Sequence, residues 1–308
     1  MDLEFHYYIN AIVAKMSGFD CHNSQIIANS SQFVDDNTSS LNILSNSTNK
    51  FYTNIITQTF DVTLPLQQLR KIYSCFHFQP SAKNAAQFWV TKPASSLSLK
   101  IFMSALAHGN PYLIGIASHA FCDTYAHQNF IGDSDSFNSP TGLDVPPSFG
   151  HMYFGELPDT VATKWHDTRT NKIIDNNKRF IKAALKLFTI YSYHNRLKSS
   201  IVRRKKIMLY NLLNGTFNQP EYYTLGSELA NVKRTNKYRA FSRRNGNFLT
   251  GYDAATSWLD LAAYYCHINA EWIARPNFKN SHWYQFQEQA KKYRDLALKI
   301  IAQYQACQ

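Results

Sequence analysis

Apolar side chains recur at intervals of three and four residues along most of this 308-residue chain, which predicts a mainly α fold. The predicted helices are His6–Ser17, Ser24–Phe33, Leu97–Ala107, Gly115–Phe130, Asn176–Tyr193, Ser199–Leu213, Asp253–Ala274 and Trp283–Gln305. Polar and Gly/Pro-rich stretches at 37–49, 133–148, 215–220 and 243–251 predict loops. Phe51–Val62 alternates β-branched and polar residues, which predicts a strand or small hairpin.

The fourth helix carries a polar stripe inside an apolar segment. His119, Asp123 and His127 are spaced by four residues, so their side chains share one narrow face of a helix. The two histidines are about 12 Å apart along the axis, too far to hold one ion, and Asp123 lies between them. The stripe therefore predicts either a cluster of two or more metal ions or a buried hydrogen-bond network.

Other segments carry acids and histidines that can reach a metal. His6 follows Asp2 and Glu4, and Asp35-Asp36 stands at a helix carboxyl end, where paired acids oppose the helix dipole. His77 lies between two phenylalanines, a setting typical of a core histidine as well as of a ligand. His151 is followed by Glu156 and Asp159, and Pro158 leaves open which acid turns inward.

Composition limits the class of protein. The chain is 44% apolar and 15% aromatic, which is ample for a packed core. It contains no run of 18 uncharged apolar residues, and acids occupy the amino terminus where a signal peptide has bases. These features predict a bacterial cytoplasmic protein or one exported without a cleaved signal peptide. Five scattered cysteines, with no CxxC pair, predict reduced and mostly buried thiols.

Positive charge is concentrated in one part of the chain. Residues 160–250 hold 19 of the 32 Lys and Arg but only four acids. Such a bias is typical of a solvated face, or of a surface that binds an anionic partner such as phospholipid or nucleic acid. Arg203-Arg204-Lys205-Lys206 adjoins an apolar run, which favours a basic amphipathic helix.

Taken together, these motifs resemble the zinc-dependent phospholipase C and P1-type nuclease superfamily, and most closely a bacterial branch of it. The motifs that carry the resemblance are Glu4-Phe5-His6-Tyr7-Tyr8, Ser30-Ser31-Gln32-Phe33-Val34-Asp35-Asp36, Phe76-His77-Phe78, the helix Leu113–Phe130, and Gly150-His151 with Pro158-Asp159. The resemblance covers roughly residues 1–170. It implies a helical bundle with a cluster of two or three zinc ions, in one domain over 1–308 with a metal-site half (1–170) and a basic helical half (171–308).

The resemblance also implies a ligand set for each ion. One ion is expected on Asp35 or Asp36 with His77, His119 and Asp123. A second is expected on His127 and His151 with Asp159 or Glu156. A third is expected on His6 and Asp123 with Asp2 or Glu4. All these residue types suit zinc.

The expected activity is metal-assisted phosphoester hydrolysis, in which Asp35 or Asp36 positions or deprotonates the attacking water. A phospholipid is the favoured substrate because residues 160–250 suit an anionic membrane surface. One alternative is a single-strand nuclease in which Trp89 or Tyr153 stacks a base. Another is a non-catalytic, metal-stabilised bacterial effector that binds a membrane or a protein.

Overall fold

The computed structural model describes residues 1–45, 48–81, 89–140, 149–219 and 227–307, and these are mainly α-helical, as predicted. The helices are α1 (Asn10–Met16), α2 (Cys21–Asp36), α3 (Leu66–Ile72), α4 (Ser96–Leu106), α5 (Pro111–Ala126), α6 (Asn176–His194), α7 (Ser199–Phe217), α8 (Ser227–Arg244), α9 (Ala254–Ala262) and α10 (His282–Gln305). Two π-helical turns, Glu4–Ile9 and Tyr73–His77, precede α1 and follow α3. The short strands are β1 (Asn42–Ser45), β2 (Lys50–Thr53), β3 (Lys164–Asp167), β4 (Lys172–Asp175), β5 (Ala263–Cys266) and β6 (Glu271–Ala274).

Local capping residues explain where several helices begin. A side chain at the N-cap accepts a main-chain N–H of the first turn and so satisfies a donor that the helix leaves free. The capping residues are Asp20 for α2, Ser95 for α4, Asn110 for α5, Asp175 for α6 and Ser281 for α10. Pro111 also occupies the first turn of α5, where its missing N–H costs nothing.

Helix α5 runs through the centre of the molecule. It packs against α2, α4, α6 and α10, and its residues from Tyr112 to Ala126 are buried. Gly115 permits the close approach to α2, because a Cβ at this position would lie only 2.7 Å from Ser30 Cβ and would overlap the Ile27 carbonyl. The close packing of α2 on α5 brings the acidic end of α2 to the middle of α5.

The predicted helix Asp253–Ala274 is wrong beyond Ala262. After α9 the chain turns into β5 and β6, which pair with β1 and β2 in a four-stranded sheet of order β2-β1-β6-β5. β1 and β6 are parallel, with Ile43 opposite Trp272. The aromatic and β-branched residues of 264–273 suit a strand, and pairing with a distant segment overrides the local helical pattern.

Other boundaries also differ from the predictions. In the predicted hairpin Phe51–Val62 only residues up to Thr53 are strand, and their partner β1 lies in the predicted loop 37–49. Helices α3 and α8 were not predicted. α8 buries polar side chains, including Arg234 and Ser242, so its sequence carries little apolar periodicity. Residues 141–148 of one predicted loop and Pro220 of another lie outside the described residues.

The apolar core joins both halves of the chain. One cluster of buried side chains contains residues from Met1 to Ile301, and a smaller one gathers Phe78, Phe130, Phe149 and Phe154 beside the loop that carries His151. All five cysteines are free thiols. Among the helices described, none combines the length and the hydropathy needed to cross a bilayer.

Candidate metal centre

Helix α5 positions three of the predicted ligands. His119 and Asp123 are one turn apart, with His119 Nε2 3.2 Å from Asp123 Oδ2. His127 is the C-cap, and its N–H donates to the Asp123 carbonyl at 2.8 Å. The helix therefore ends at Ala126 rather than at Phe130 as predicted. The change of backbone direction at His127 turns its ring toward a different group of ligands.

A first group lies where α2, α5 and the second π-helical turn meet. His77 Nδ1 is 3.2 Å from His119 Nε2 and 3.3 Å from Asp123 Oδ2. Asp35, one residue before the end of α2, adds an oxygen 3.5 Å from His119 Nε2 and 3.8 Å from His77 Nδ1. Four acceptor-bearing side chains from three segments thus converge on one small volume.

A second group combines His127 with the segment that follows Gly150. Asp159 lies between both imidazoles, with Oδ1 2.8 Å from His127 Nε2 and Oδ2 3.0 Å from His151 Nε2. Gly150 has φ +51°, and a Cβ there would overlap the Phe78 ring, which stacks on His127 with centroids 4.4 Å apart. A glycine is therefore required for the chain to deliver His151 beside this ring.

A third group surrounds His6 on the first π-helical turn. His6 Nε2 is 3.1 Å from Asp123 Oδ1, and its ring stacks on that of His119 with centroids 3.9 Å apart. The amino group of Met1 also enters here, 2.6 Å from Asp123 Oδ1 and 2.9 Å from Asp159 Oδ1. Asp123 therefore serves two groups, one with each carboxylate oxygen.

The far nitrogens of four imidazoles all contact main-chain carbonyls. His77 Nε2 lies 2.9 Å from Thr57 O and His119 Nδ1 2.8 Å from Ser31 O. His127 Nδ1 lies 2.9 Å from His77 O and His151 Nδ1 2.9 Å from Gly155 O. A ring nitrogen facing a carbonyl carries the proton, which leaves the opposite nitrogen as a lone pair in the neutral ring. This arrangement is the usual one for metal-binding histidines.

The spacing of these lone pairs fits a tetrahedral metal ion. Two ligand atoms that each lie about 2.0–2.1 Å from zinc are about 3.3 Å apart. The separations among His77 Nδ1, His119 Nε2 and Asp123 Oδ2 are 3.2, 3.3 and 3.2 Å. Among the described residues, three combinations have all their ligand atoms within 4.8 Å: His6, Asp35 and His119; His77, His119 and Asp123; and His127, His151 and Asp159.

Burial keeps His119 and His127 in the form that binds metal. Burial lowers the pKa of His119 to about 4, even though Asp123 opposes the shift. The pKa of His127 is lowered by the same cause. Burial also acts on His151, but the Asp159 carboxylate outweighs it and raises the pKa of that ring. His119 and His127 are therefore neutral near neutral pH, with a lone pair available.

Three predicted ligands do not belong to the cluster. Glu4 is buried but faces away and pairs with Arg234 at 2.9 Å, because α8 packs on the first π-helical turn. Asp36 accepts the Tyr252 hydroxyl instead, since successive residues at the end of α2 point in different directions. Glu156 is exposed on the turn before Asp159. Of Asp35 and Asp36 on α2, Asp35 reaches the cluster. Of Glu156 and Asp159 on the loop, Asp159 does.

Asp2, the alternative to Glu4 beside His6, also lies outside the three groups of ligands and bonds to the main chain instead. Its carboxylate accepts the N–H of Val161 at 3.0 Å and of Phe5 at 3.2 Å. Its own N–H donates to the Asp159 carbonyl at 3.1 Å. Asp2 therefore links the first π-helical turn to the segment that carries Asp159.

The main-chain groups of the centre carry no signal in the sequence. Met1 contributes a main-chain nitrogen, and the ring-orienting partners are the carbonyls of Ser31, Thr57, His77 and Gly155. Every residue has a carbonyl, so no residue type marks these positions in the sequence.

One protein-family model matches almost the whole chain. The model of a family of unknown function, DUF6765, matches residues 1–301. The chain belongs to the DUF6765 family. All eight clustered side chains lie within the matched region, so the candidate centre is part of the DUF6765 domain. Neither the curated proteins nor the solved structures gave a match.

Proposed function

We propose that the protein is a metal-dependent phosphoester hydrolase with a cluster of two or three zinc ions. The observation that carries this proposal is the convergence of acceptors in the first group. His77 Nδ1 and His119 Nε2 face each other at 3.2 Å while both opposite nitrogens contact carbonyls. The Met1 ammonium contacts the other oxygen of Asp123, Oδ1, whereas these two nitrogens lie near Oδ2. Two lone pairs that face each other beside carboxylate oxygens repel each other unless a cation lies between them.

The ligand sets follow from the three groups. One ion is assigned to His77, His119, Asp123 and Asp35. A second is assigned to His127, His151 and Asp159, and a third to His6 with Oδ1 of Asp123 and with Asp35. When bound, zinc ions in such a cluster lower the pKa of a water and neutralise phosphate oxygens. The helical bundle of the zinc-dependent phospholipases C is the fold we propose for this arrangement.

Asp35 is the residue we assign to proton transfer. Its carboxylate is 26% exposed, the most accessible among the acids of the cluster, and Oδ1 lies beside His77 and His119. With Oδ1 given to the first ion, the other oxygen of Asp35 is the one that we assign to accept a proton from an attacking water.

Exposed apolar side chains near the cluster favour a lipid-like substrate over a nucleotide. Met152 and Leu157 lie on the turn between His151 and Asp159, and both are exposed. Tyr153, the ring that the nuclease alternative uses for stacking, is exposed on the same turn. Leu3, which follows the residue hydrogen-bonded to Asp159, is exposed as well. Aliphatic groups of this kind suit the acyl part of a phospholipid, whereas a nuclease needs aromatic surfaces for its bases.

An activity assay on three substrates tests the proposal. The protein, tagged at its carboxyl end because Met1 lies in the cluster, is incubated with bis(p-nitrophenyl) phosphate, mixed micelles of phosphatidylcholine, and single-stranded DNA. We expect hydrolysis of the first two, and a loss of at least about 100-fold in His119→Ala, because a ligand of the cluster is removed. His267→Ala, which removes an exposed histidine remote from these groups in sequence, is the matched control.

Two results would contradict the proposal. Turnover that survives in a folded His119→Ala protein would place the chemistry elsewhere. Wild-type protein that binds zinc but hydrolyses none of the substrates would favour the non-catalytic, metal-stabilised alternative. Cleavage of DNA alone would keep the hydrolase but replace the substrate. Circular dichroism of each variant separates loss of activity from loss of fold.

A further inference from the structure

Two neighbouring helices of the basic half contain no acid at all. Residues 176–217, which form α6, α7 and their connection, include ten Lys and Arg and no Asp or Glu. Two of these cations are tied to the main chain of the core: Arg179 donates to the Ala126 carbonyl at 3.1 Å, and Lys205 to the Met16 carbonyl at 2.8 Å. Most of the remaining positive charge lies at the surface with no local acid to neutralise it.

Helix α7 carries part of this charge away from its packing face, most directly at Arg204. Leu209, Leu213 and Phe217 are buried, and α7 packs on α6. Arg203, Arg204 and Lys206 are exposed. Within the described part of the chain, none of these three cations forms an ion pair. They are therefore available to an anionic partner.

The same outward face also exposes large apolar side chains. Ile207 is 56% exposed, Met208 51% and Tyr210 45%. Ile207 follows Arg203 by four residues and Arg204 by three, so the isoleucine lies between the two guanidinium groups on the helix surface. Neighbouring exposed apolar side chains that are rimmed by polar or charged groups are typical of an interaction surface.

We propose that this outward face of α7 docks the protein on an anionic lipid bilayer. Cations beside apolar groups on a helix lying parallel to the surface suit such an interface, because the charges meet the headgroups and the apolar groups enter the acyl boundary. Tyr210, with an apolar ring and a polar hydroxyl, suits the headgroup level. Nucleic acid satisfies the cations but leaves Ile207 and Met208 in water. Docking needs no turnover, so it does not rest on the proposed hydrolase.

Vesicle co-sedimentation tests the docking face. Wild-type protein is mixed with vesicles of phosphatidylcholine, and with vesicles that also contain phosphatidylserine, at low and high salt. We expect binding only to the anionic vesicles, weakened by salt. Arg203→Gln/Arg204→Gln is expected to lower the partition coefficient about 30-fold, from the typical contribution of two cations near a membrane. Ile207→Asn/Met208→Asn is expected to lower it at least about tenfold, by removing the inserted apolar groups.

Arg243→Gln/Arg244→Gln is the matched control, since it removes the same charge from the exposed last turn of α8. We expect this control to bind within about threefold of wild type. If both arginine double variants lost vesicle binding equally, the proposal would be overturned in favour of non-specific attraction by net charge. Full binding by the folded Ile207→Asn/Met208→Asn protein would also overturn it. The proposal would also fail if single-stranded DNA displaced the protein from vesicles by binding to Arg203, Arg204, Ile207 and Met208.

Discussion

Single side-chain atoms decide the character of the candidate centre. Each of four imidazoles has one nitrogen on a carbonyl and the other toward carboxylates, so the protonation pattern follows from the partners. Asp159 is the clearest case, because its two oxygens separately contact His127 and His151. Glu156, three residues away, has an equivalent charge but an exposed position.

This contrast gives a prediction for metal content. Asp159→Asn removes a charged ligand of the second group, so we expect the protein to lose about one zinc ion per chain. Glu156→Gln removes the same charge from the neighbouring turn and should retain the full content. Inductively coupled plasma mass spectrometry of both purified proteins measures the difference. Equal metal in the two variants would exclude Asp159 as a ligand.

At the scale of elements, a buried ion pair joins the basic half to the cluster. Glu4, two residues before His6, accepts Arg234 of α8 at 2.9 Å and the Tyr238 hydroxyl at 2.7 Å. Asn231 adds a third donor at 3.1 Å. α8 therefore stabilises the π-helical turn that carries His6.

Removing the charge of Glu4 should be costly. In Glu4→Gln the buried Arg234 guanidinium loses the Glu4 carboxylate, so we expect the free energy of unfolding to fall by about 3 kcal/mol. Asp295→Asn breaks an exposed pair with Arg294 and is expected to change it by less than about 1 kcal/mol. Urea titration followed by circular dichroism compares the two. A Glu4→Gln protein as stable as the Asp295→Asn protein would show that the buried pair contributes little.

At the scale of the whole molecule, the clustered ligands come from five separate segments. These are the two π-helical turns, the end of α2, α5 with its C-cap, and the loop through His151 and Asp159. Without ions, buried carboxylates and imidazoles face one another across these segments. Metal ions that bind the folded state but not the unfolded chain therefore stabilise the fold as a whole.

Chelation should accordingly lower the melting temperature. We expect EDTA to reduce it by about 10 °C, because ions bound far above their dissociation constants contribute about 4 kcal/mol. Zinc added back should restore the original value, whereas magnesium, which prefers oxygen ligands, should not. Differential scanning fluorimetry provides the measurement. A melting temperature unaffected by EDTA in protein shown to lose its metal would mean that the cluster does not hold the segments together.

Local sequence was sufficient for the features that depend on near neighbours. The periodicity of α5 and the four-residue spacing of His119 and Asp123 describe one helix face, and Asn110 marks where that helix begins. The positions of most helices along the chain could be predicted for the same reason. The candidate residues that converge in the structure were all identifiable as acids and histidines in the sequence.

Only the tertiary structure decided which of these residues meet. Asp35 and Asp36 are adjacent, and the crossing of α2 on α5 determines which one reaches His119. Glu4 faces away from His119 because it pairs with Arg234 of α8. The buried face of α8 is polar, so the apolar periodicity that predicts a helix is weak there. β6 is a strand because it pairs with β1 across more than 200 residues, and β5 pairs in turn with β6. Such outcomes depend on long-range partners, and a local pattern carries no information about those partners.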